Sequence, residues 1–495
     1  MFLGTGSDVG KSVTAAAFCR IFKRRGLKVA PFKAQNMSNN SYVTAEGGEI
    51  GRAQVVQAEA SGLIPSVHMN PILLKPSSNL GSQIILQGHV FGQMDATQYH
   101  NYKPKLKKAV MDSYDQLDRE YDLIVMEGAG SCCEMNLKRH DLVNFAMAKA
   151  VDAPCILIAD IDRGGVFSQI IGSHYLMTPK ERRMTMGWLI NKFRGDPALF
   201  SSGIDYIEKK TGKPVLGLIP FYEDILIDPE DSVVIQEDKR VLHAVGPTTI
   251  NIAVVKLPAI SNFSDLDCFE SEPDVVVNYL FRPDEFSEEY DILILPGTKN
   301  SMEDAVWLSR SKWMKVIKDY ANKGGFVFGI CGGYQLLGEK ILDPASVESS
   351  REVVKGLALL PIQTIHAEKK ILRKVVGTCL ISGRQVKGYE IHMGVSRPVN
   401  SKGRPFLKIH EVGKKKVWND GWVSEDGQAV GTYVHGIMDS ATFRNEFLNR
   451  FRRKKGLKEK SPRQGRRARF VQYDRLADHF EAHSDIDRII SELGI

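Results

Sequence analysis

Two short segments of this 495-residue chain hold residue types that do chemistry. The first is Gly324-Gly-Phe-Val-Phe-Gly-Ile-Cys331-Gly-Gly-Tyr-Gln-Leu-Leu-Gly338. An apolar run of strand type turns through Gly-x-Cys-x-Gly into a helical pattern, which is a nucleophile elbow with Cys in place of Ser. Flanking glycines permit the sharp turn, and a helix N-terminus favours the thiolate. The Gly332 N–H then faces a developing oxyanion. A second donor is expected at Gly297, in Asp291-Ile-Leu-Ile-Leu-Pro-Gly297-Thr-Lys-Asn-Ser, where another strand ends in a glycine turn. The expected base is His435, in Thr432-Tyr-Val-His435-Gly436. The bland alternative for Cys331 is a buried structural thiol. Spacing alone does not select His435 among twelve histidines.

The second segment is Gly4-Thr-Gly-Ser-Asp-Val-Gly10-Lys11-Ser12, ahead of the helical run Val13–Arg25. Glycines such as Gly6 and Gly10 let backbone N–H groups approach phosphate oxygens, and the new helix points its positive end at them. Lys11 adds charge, and the Ser12 hydroxyl can ligate Mg²⁺. Thr5 stands where a strict Walker A has its first glycine, so the loop is a variant. Tyr121-Asp-Leu-Ile-Val-Met-Glu127-Gly-Ala-Gly130 is a buried-strand pattern ending in a carboxylate, where a metal–phosphate centre belongs.

Short apolar runs must position both segments. They lie at Lys28–Pro31, Gln83–Leu86, Leu123–Met126, Cys155–Ala159, Met186–Ile190 and Val215–Leu218. They recur at Ile250–Val255, Val275–Tyr279, Ile292–Leu295 and Phe326–Gly329. Helix-length stretches such as Ser12–Arg25 separate them, so the fold class is α/β with mostly parallel sheets. Two domains are expected: 1–225 with the phosphate loop, and 249–450 with the thiol. Residues 226–248 read as a linker, and 451–495 as a basic linker with a helical tail.

Composition sets the class. Hydrophobic residues make up 43% and charged residues 25%, which excludes fibrous and wholly disordered chains. No apolar run reaches the ~18–20 residues of a membrane span, and Met1-Phe2-Leu3 leads straight into glycines, with no signal peptide. Seven scattered cysteines without a C-x-x-C pair read as reduced thiols, so the cytoplasm is the expected compartment. A net charge of +7 could signal nucleic acid. However, Phe451–Phe470 alone holds ten Lys or Arg and one Glu, and no nucleic-acid motif accompanies it. That run reads as solvated, and neither nucleic acid nor membrane is an expected partner.

The motifs carry a resemblance. G-I-C-G-G-Y-Q with Y-V-H-G looks like a class I glutamine amidotransferase domain. The loop G-T-G-S-D-V-G-K-S with Glu127-Gly-Ala-Gly resembles dethiobiotin synthetase and its relatives. Their fusion in this order is similar to the cobalamin-pathway amidotransferases. The phrases Ala30-Pro-Phe-Lys-Ala-Gln-Asn-Met-Ser-Asn-Asn-Ser41, Gly47-Gly-Glu-Ile-Gly-Arg-Ala-Gln54, Met69-Asn-Pro-Ile-Leu-Leu-Lys-Pro76 and Ala159-Asp-Ile-Asp-Arg-Gly-Gly-Val-Phe167 resemble the cobyric acid synthase family in particular.

The resemblance implies amidation of the b, d, e and g carboxylates of adenosylcobyrinic acid a,c-diamide. L-glutamine would be the nitrogen donor, with ATP and Mg²⁺. It also implies roles for single residues. Lys33 would contact phosphate, Glu49 and Glu127 would lie near Mg²⁺, Asn191 would read adenine, and Asp141 would face the corrinoid carboxylate. Each has a plain alternative as a surface charge or cap. Most class I members carry Glu two residues after the histidine, where this chain has Ile437. The group that orients His435 therefore stays open, as does the oligomeric state. Two rival readings are cobyrinic acid a,c-diamide synthase and a MinD-like ATPase switch. The switch has no use for Cys331.

Overall fold

The computed structural model describes residues 1–77, 81–228, 242–463 and 465–495. The middle of the expected 226–248 linker therefore lies outside the described residues, as does Gln464 of the basic run.

The phosphate loop leaves a central strand of a parallel sheet. Phe2–Gly4 pairs with Cys155–Asp160, which pairs with Thr185–Phe193 and then Val215–Pro220, all in parallel. On the other side a bridge from Phe2 to Glu127 joins the parallel pair Val29–Phe32 and Leu123–Met126. The first strand has only three residues, but partners flank it on both sides, and the Met1 amino group donates to Pro154 O at 2.7 Å. Its carboxyl end is where an open α/β sheet binds its ligand. The helix Lys11–Arg24 covers the sheet with Ala15, Ala16, Ala17 and Phe18, all buried. The run Gln83–Leu86 is a strand of another kind: Gly81–Leu86 forms antiparallel pairs with Ile72–Ser77 and His89–Met94, off the parallel sheet.

The second half repeats the layer type. Val275–Leu280, Ile250–Val255, Ile292–Leu295, Phe326–Ile330 and Ala429–Thr432 lie side by side in parallel. This sheet then continues antiparallel through Val417–Val423 and Arg404–Glu411 to the long hairpin of Ile362–Cys379 and Gln385–Pro398. The apolar-run reading has no counterpart for that extension. Its strands alternate buried and exposed side chains and carry many lysines, so they lack a continuous apolar run.

The expectation of a solvated basic linker holds for Arg453, Lys454, Lys458 and Arg463, which are exposed, but not for all of the run. Helix Ala441–Lys454 runs into the segment, and Arg452 is fully buried. Arg452 donates to both oxygens of Asp274, at 2.9 and 3.0 Å. Lys455 pairs with Asp291 at 2.8 Å and Lys460 with Asp274 at 2.7 Å. Carboxylates distant in sequence thus meet the charges that a local count leaves uncompensated. The chain then returns to the first half. On helix Gly465–Ala482, Tyr473, Leu476, Ala477 and Phe480 join the core built on Phe18. Arg20 meets Asp474 through two hydrogen bonds, and Arg24 meets Asp478. The tail is part of the first domain's core rather than an appendage.

Arg452→Ala is expected to cost about 3–5 kcal/mol, because Asp274 and Glu272 lose a buried partner. The urea midpoint of the purified chain checks this, and an unchanged midpoint would contradict it.

Candidate active sites

At the phosphate loop, Gly10 has φ 99°, and a side chain there would meet the Asn191 amide at 2.2 Å. Only glycine fits. Lys11 Nζ donates to Gly6 O at 3.0 Å and to Gly130 O at 2.9 Å, which ties the loop to the segment after Glu127. Ser12 Oγ donates to Glu127 Oε2 at 2.8 Å. The other Glu127 oxygen accepts from Gln54 at 2.8 Å and Gln57 at 2.9 Å, with Lys33 Nζ at 3.5 Å. Lys11, Ser12, Lys33 and Glu127 therefore converge. Gln54 and Gln57 escaped the sequence reading. Their signal is two fully buried amides one turn apart on the helix Arg52–Ala60.

Three of the expected site residues have partners that spacing does not show. Glu49 is fully buried, but Lys75 at 2.7 Å and Lys370 at 2.6 Å hold it, with Ser41 Oγ donating at 2.8 Å. Its oxygens serve this cluster. Burial alone would raise its carboxyl pKa, yet the two lysines hold it well below the usual range. Asp141 accepts from the backbone N–H groups of Val143, Asn144 and Ala146, all within 3.0 Å. Its carboxylate thus ties down the backbone at the start of the helix Phe145–Ala150. Asn191 donates to Val9 O at 2.9 Å and accepts from the Lys192 N–H, so its amide braces the phosphate loop.

The thiol centre assembles in the second half. Strand Phe326–Ile330 runs into Cys331, and Gly332–Leu337 is helical. Cys331 has φ 52° and ψ −108°, a strained backbone for a residue with a side chain. A side chain at Gly332 would lie 2.4 Å from Thr298, and one at Gly333 would lie 1.9 Å from Leu295 O. Those glycines let the elbow press against the Gly297 turn. Gly297 in turn lies against the His435 ring, where a side chain would stand 3.1 Å from Cε1. Cys331, Gly332, Gly297 and His435 are thus brought together. Sγ of Cys331 sits 3.7 Å from Ile391 O, and the thiol is close enough to His435 to act on its charge.

The orienting group is Asp265. His435 Nδ1 lies 2.7 Å from Asp265 Oδ2, and the Gly436 N–H donates to Oδ1 at 2.8 Å. The ring stacks on Tyr389 with centroids 5.3 Å apart. Asp265 stands on a short helical turn, Phe263–Ser271, so far from His435 in the chain that no spacing could point to it. Burial lowers the His435 pKa, but Asp265 and Cys331 overcome this and raise it to about 10. The imidazolium therefore persists through neutral pH and is lost as pH rises through that value.

Asp265→Asn removes the raising charge. The alkaline limit of glutamine hydrolysis is then expected to move to lower pH, and turnover to fall by about 10²–10⁴-fold. A pH profile of kcat/KM for glutamine measures both, and an unmoved alkaline limb would contradict the assignment.

The same helical turn touches the first half. Asn262 Nδ2 donates to Ser41 O at 2.9 Å, and Ser264 Oγ donates to Asn40 Oδ1 at 3.2 Å. The two centres therefore belong to one packed structure. Among the described residues, no helix is long and apolar enough to cross a membrane.

Comparison with known proteins follows the same division. Residues 1–233 match the CobQ/CobB/MinD/ParA nucleotide binding domain, and residues 251–443 match the CobB/CobQ-like glutamine amidotransferase domain. The cobyric acid synthase of Syntrophobacter fumaroxidans is 47% identical, over 100% of this chain and 98% of its own. That of Clostridium acetobutylicum is 42% identical, over 100% and 98%. That of Clostridium botulinum (strain 657) is 44% identical, over 100% and 99%. The phosphate loop and the thiol each fall in the domain expected to carry them, and relatives of a single name align from end to end: the chain belongs to the cobyric acid synthase family.

Proposed function

We propose that this chain amidates the b, d, e and g carboxylates of adenosylcobyrinic acid a,c-diamide, giving adenosylcobyric acid, with glutamine as nitrogen donor and ATP as activator. The observation that carries the reading is the Cys331–His435–Asp265 constellation held against the phosphate-loop domain through Asn262 and Ser264. A nucleotide switch needs no thiol centre. An enzyme that makes ammonia and spends it on an activated acid needs both centres together.

At the thiol centre, Cys331 attacks the glutamine carboxamide, and the Gly297 and Gly332 amides hold the oxyanion. His435 gives its proton to the departing ammonia, and Asp265 steadies the imidazolium. Water then releases glutamate from the thioester. At the other centre, a substrate carboxylate takes the γ-phosphoryl of ATP, and ammonia displaces phosphate from the acyl phosphate. Lys11 and Lys33 supply positive charge to the transferring group, and Gly6 and Gly10 let the backbone approach it. Asn191 keeps the loop in shape.

Ser12 and Glu127 are the residues that would hold Mg²⁺. A hydroxyl and a carboxylate oxygen 2.8 Å apart beside the loop are the hard oxygen donors such an ion takes. When bound, the ion supplies charge neutralisation on the phosphates. Gln54 and Gln57 orient the Glu127 carboxylate toward that position.

An assay separates this reading from its neighbour in the pathway. Turnover of the a,c-diamide is expected. Amidation of cobyrinic acid at a and c, with the a,c-diamide inert, would replace it with the diamide synthase. All seven cysteines are free thiols, which supports a cytoplasmic enzyme.

A further inference from the structure

The segment that follows Glu127 carries two adjacent cysteines, Cys132 and Cys133, whose thiols serve neither centre. Their sulfurs lie 3.7 Å apart. Cys132 is buried in the core that contains Leu3 and Cys155. Cys133 is half-buried, with its Sγ 3.5 Å from Ser173 O. Residues 134–137, next in the chain, are exposed, so a small solute reaches this sulfur before its neighbour. The pair also stands where the phosphate loop is tied down. The Cys132 N–H donates to Gly4 O at 2.9 Å. Gly130, two residues earlier, accepts from Lys11 Nζ at 2.9 Å.

Two sulfurs in contact need little movement to bond, but adjacent residues are an awkward place for that bond. Consecutive Cα atoms stand about 3.8 Å apart, under the ~4.4–6.8 Å that disulfides usually span. Closing the bond therefore shifts the backbone, and a strained disulfide is readily reduced. Such a bond is labile and suited to sensing, which is the use disulfides find in a reducing compartment. The two thiols are also unequal. A hydrogen bond from Cys132, with Lys138 nearby, holds the Cys133 pKa below the usual thiol value against the effect of burial. The same contact and burial push Cys132 up. Cys133 is thus the sulfur that reacts as thiolate.

We propose that Cys132 and Cys133 form a reversible oxidation site, where a peroxide closes a disulfide that pulls the phosphate loop out of working shape. The Cys133 thiolate attacks one peroxide oxygen, the O–O bond breaks, and the other oxygen leaves as hydroxide. Cys133 is then a sulfenic acid. The Cys132 sulfur attacks the Cys133 sulfur, the S–O bond breaks, and a second hydroxide leaves. The two hydroxides take up the protons of the two thiols, so two thiols and one hydrogen peroxide give one disulfide and two waters. The new bond moves the backbone that meets Gly4 O and, through Gly130, the carbonyl that holds Lys11. For its effect on rate, the inference rests on the function proposed above.

The test treats the full reduced chain with hydrogen peroxide, then catalase, and assays it with ammonium chloride, so that oxidation of Cys331 does not enter the rate. Ammonia-dependent amidation is expected to fall about 10- to 100-fold, the scale on which a displacement of ~1 Å at a reacting centre acts, and to return with dithiothreitol. Mass spectrometry of the alkylated digest is expected to show the peptide with Cys132 and Cys133 lighter by two hydrogens and closed to alkylation. Cys133→Ser is expected to match the native rate before peroxide and to keep it afterwards. An equal loss of rate in Cys133→Ser would overturn the proposal, as would a vicinal disulfide that leaves the rate unchanged. So would a bond from Cys132 to Cys155, or a pair that stays reduced while Cys331 is oxidised. A reduced native chain that forms no amide overturns the functional reading instead. The mass change and an equal fall in ATP affinity, read by calorimetry, then decide this inference.

Discussion

Cys331→Ala is expected to lower glutamine-dependent amidation by about 10⁴-fold or more, the scale on which loss of a catalytic nucleophile acts, and to leave ammonia-dependent amidation intact. The asymmetry follows from the architecture. The thiol sits on the elbow between Phe326–Ile330 and Gly332–Leu337, in the second half, whereas carboxylate activation needs only the loop on the first half's sheet. Free ammonia supplied in excess replaces what the thiol centre makes. The substitution removes one sulfur from a site already shaped by Gly332, Gly333 and Gly297, so the fold has little reason to respond. Parallel rate measurements with glutamine and with ammonium chloride check this. Equal loss with both nitrogen sources would remove Cys331 from its role.

Lys11→Ala is expected to abolish amidation from either source, by about 10²–10³-fold, the usual effect of removing a preorganised charge donor from the transition state. Lys11 is 7% exposed and is held by Gly6 O and Gly130 O, so its ammonium is fixed at the mouth of the loop. Without it the carboxylate is not phosphorylated, and ammonia has nothing to attack. Glutamine hydrolysis, a reaction of the other centre, persists in this variant. Retained ammonia-dependent turnover would contradict the phosphate-loop assignment. The two substitutions therefore have complementary signatures, and together they separate the centres.

Much of this arrangement is legible from local pattern. The parallel core strands are short apolar runs bounded by turn residues, and Cys155–Asp160 and Ile292–Leu295 lie within a residue of their expected limits. Cys331, Gly332, Lys11 and Ser12 announce themselves because a tight turn and a helix start impose their neighbours. Residues that act through long-range contact leave no such mark. Asp265 meets His435, and Lys370 meets Glu49, only after the sheet brings distant strands together. Glu49 and Asp141 have partners that are hidden for a related reason: one answers buried lysines, and the other ties down backbone N–H groups at a helix start. The basic stretch after Phe451 is solvated only in part, because Asp274, Asp291 and Asp228 lie close to it in the folded chain.

The central claim is that one chain draws nitrogen from glutamine at Cys331 and places it on four corrinoid carboxylates activated at the phosphate loop. It is tested most directly by mass spectrometry of the product made from the a,c-diamide and ATP, with glutamine carrying ¹⁵N in its side-chain amide. The account predicts a product with four new amides, each bearing the heavy nitrogen. Recovery of unchanged a,c-diamide, or of new amides without the label, would contradict it.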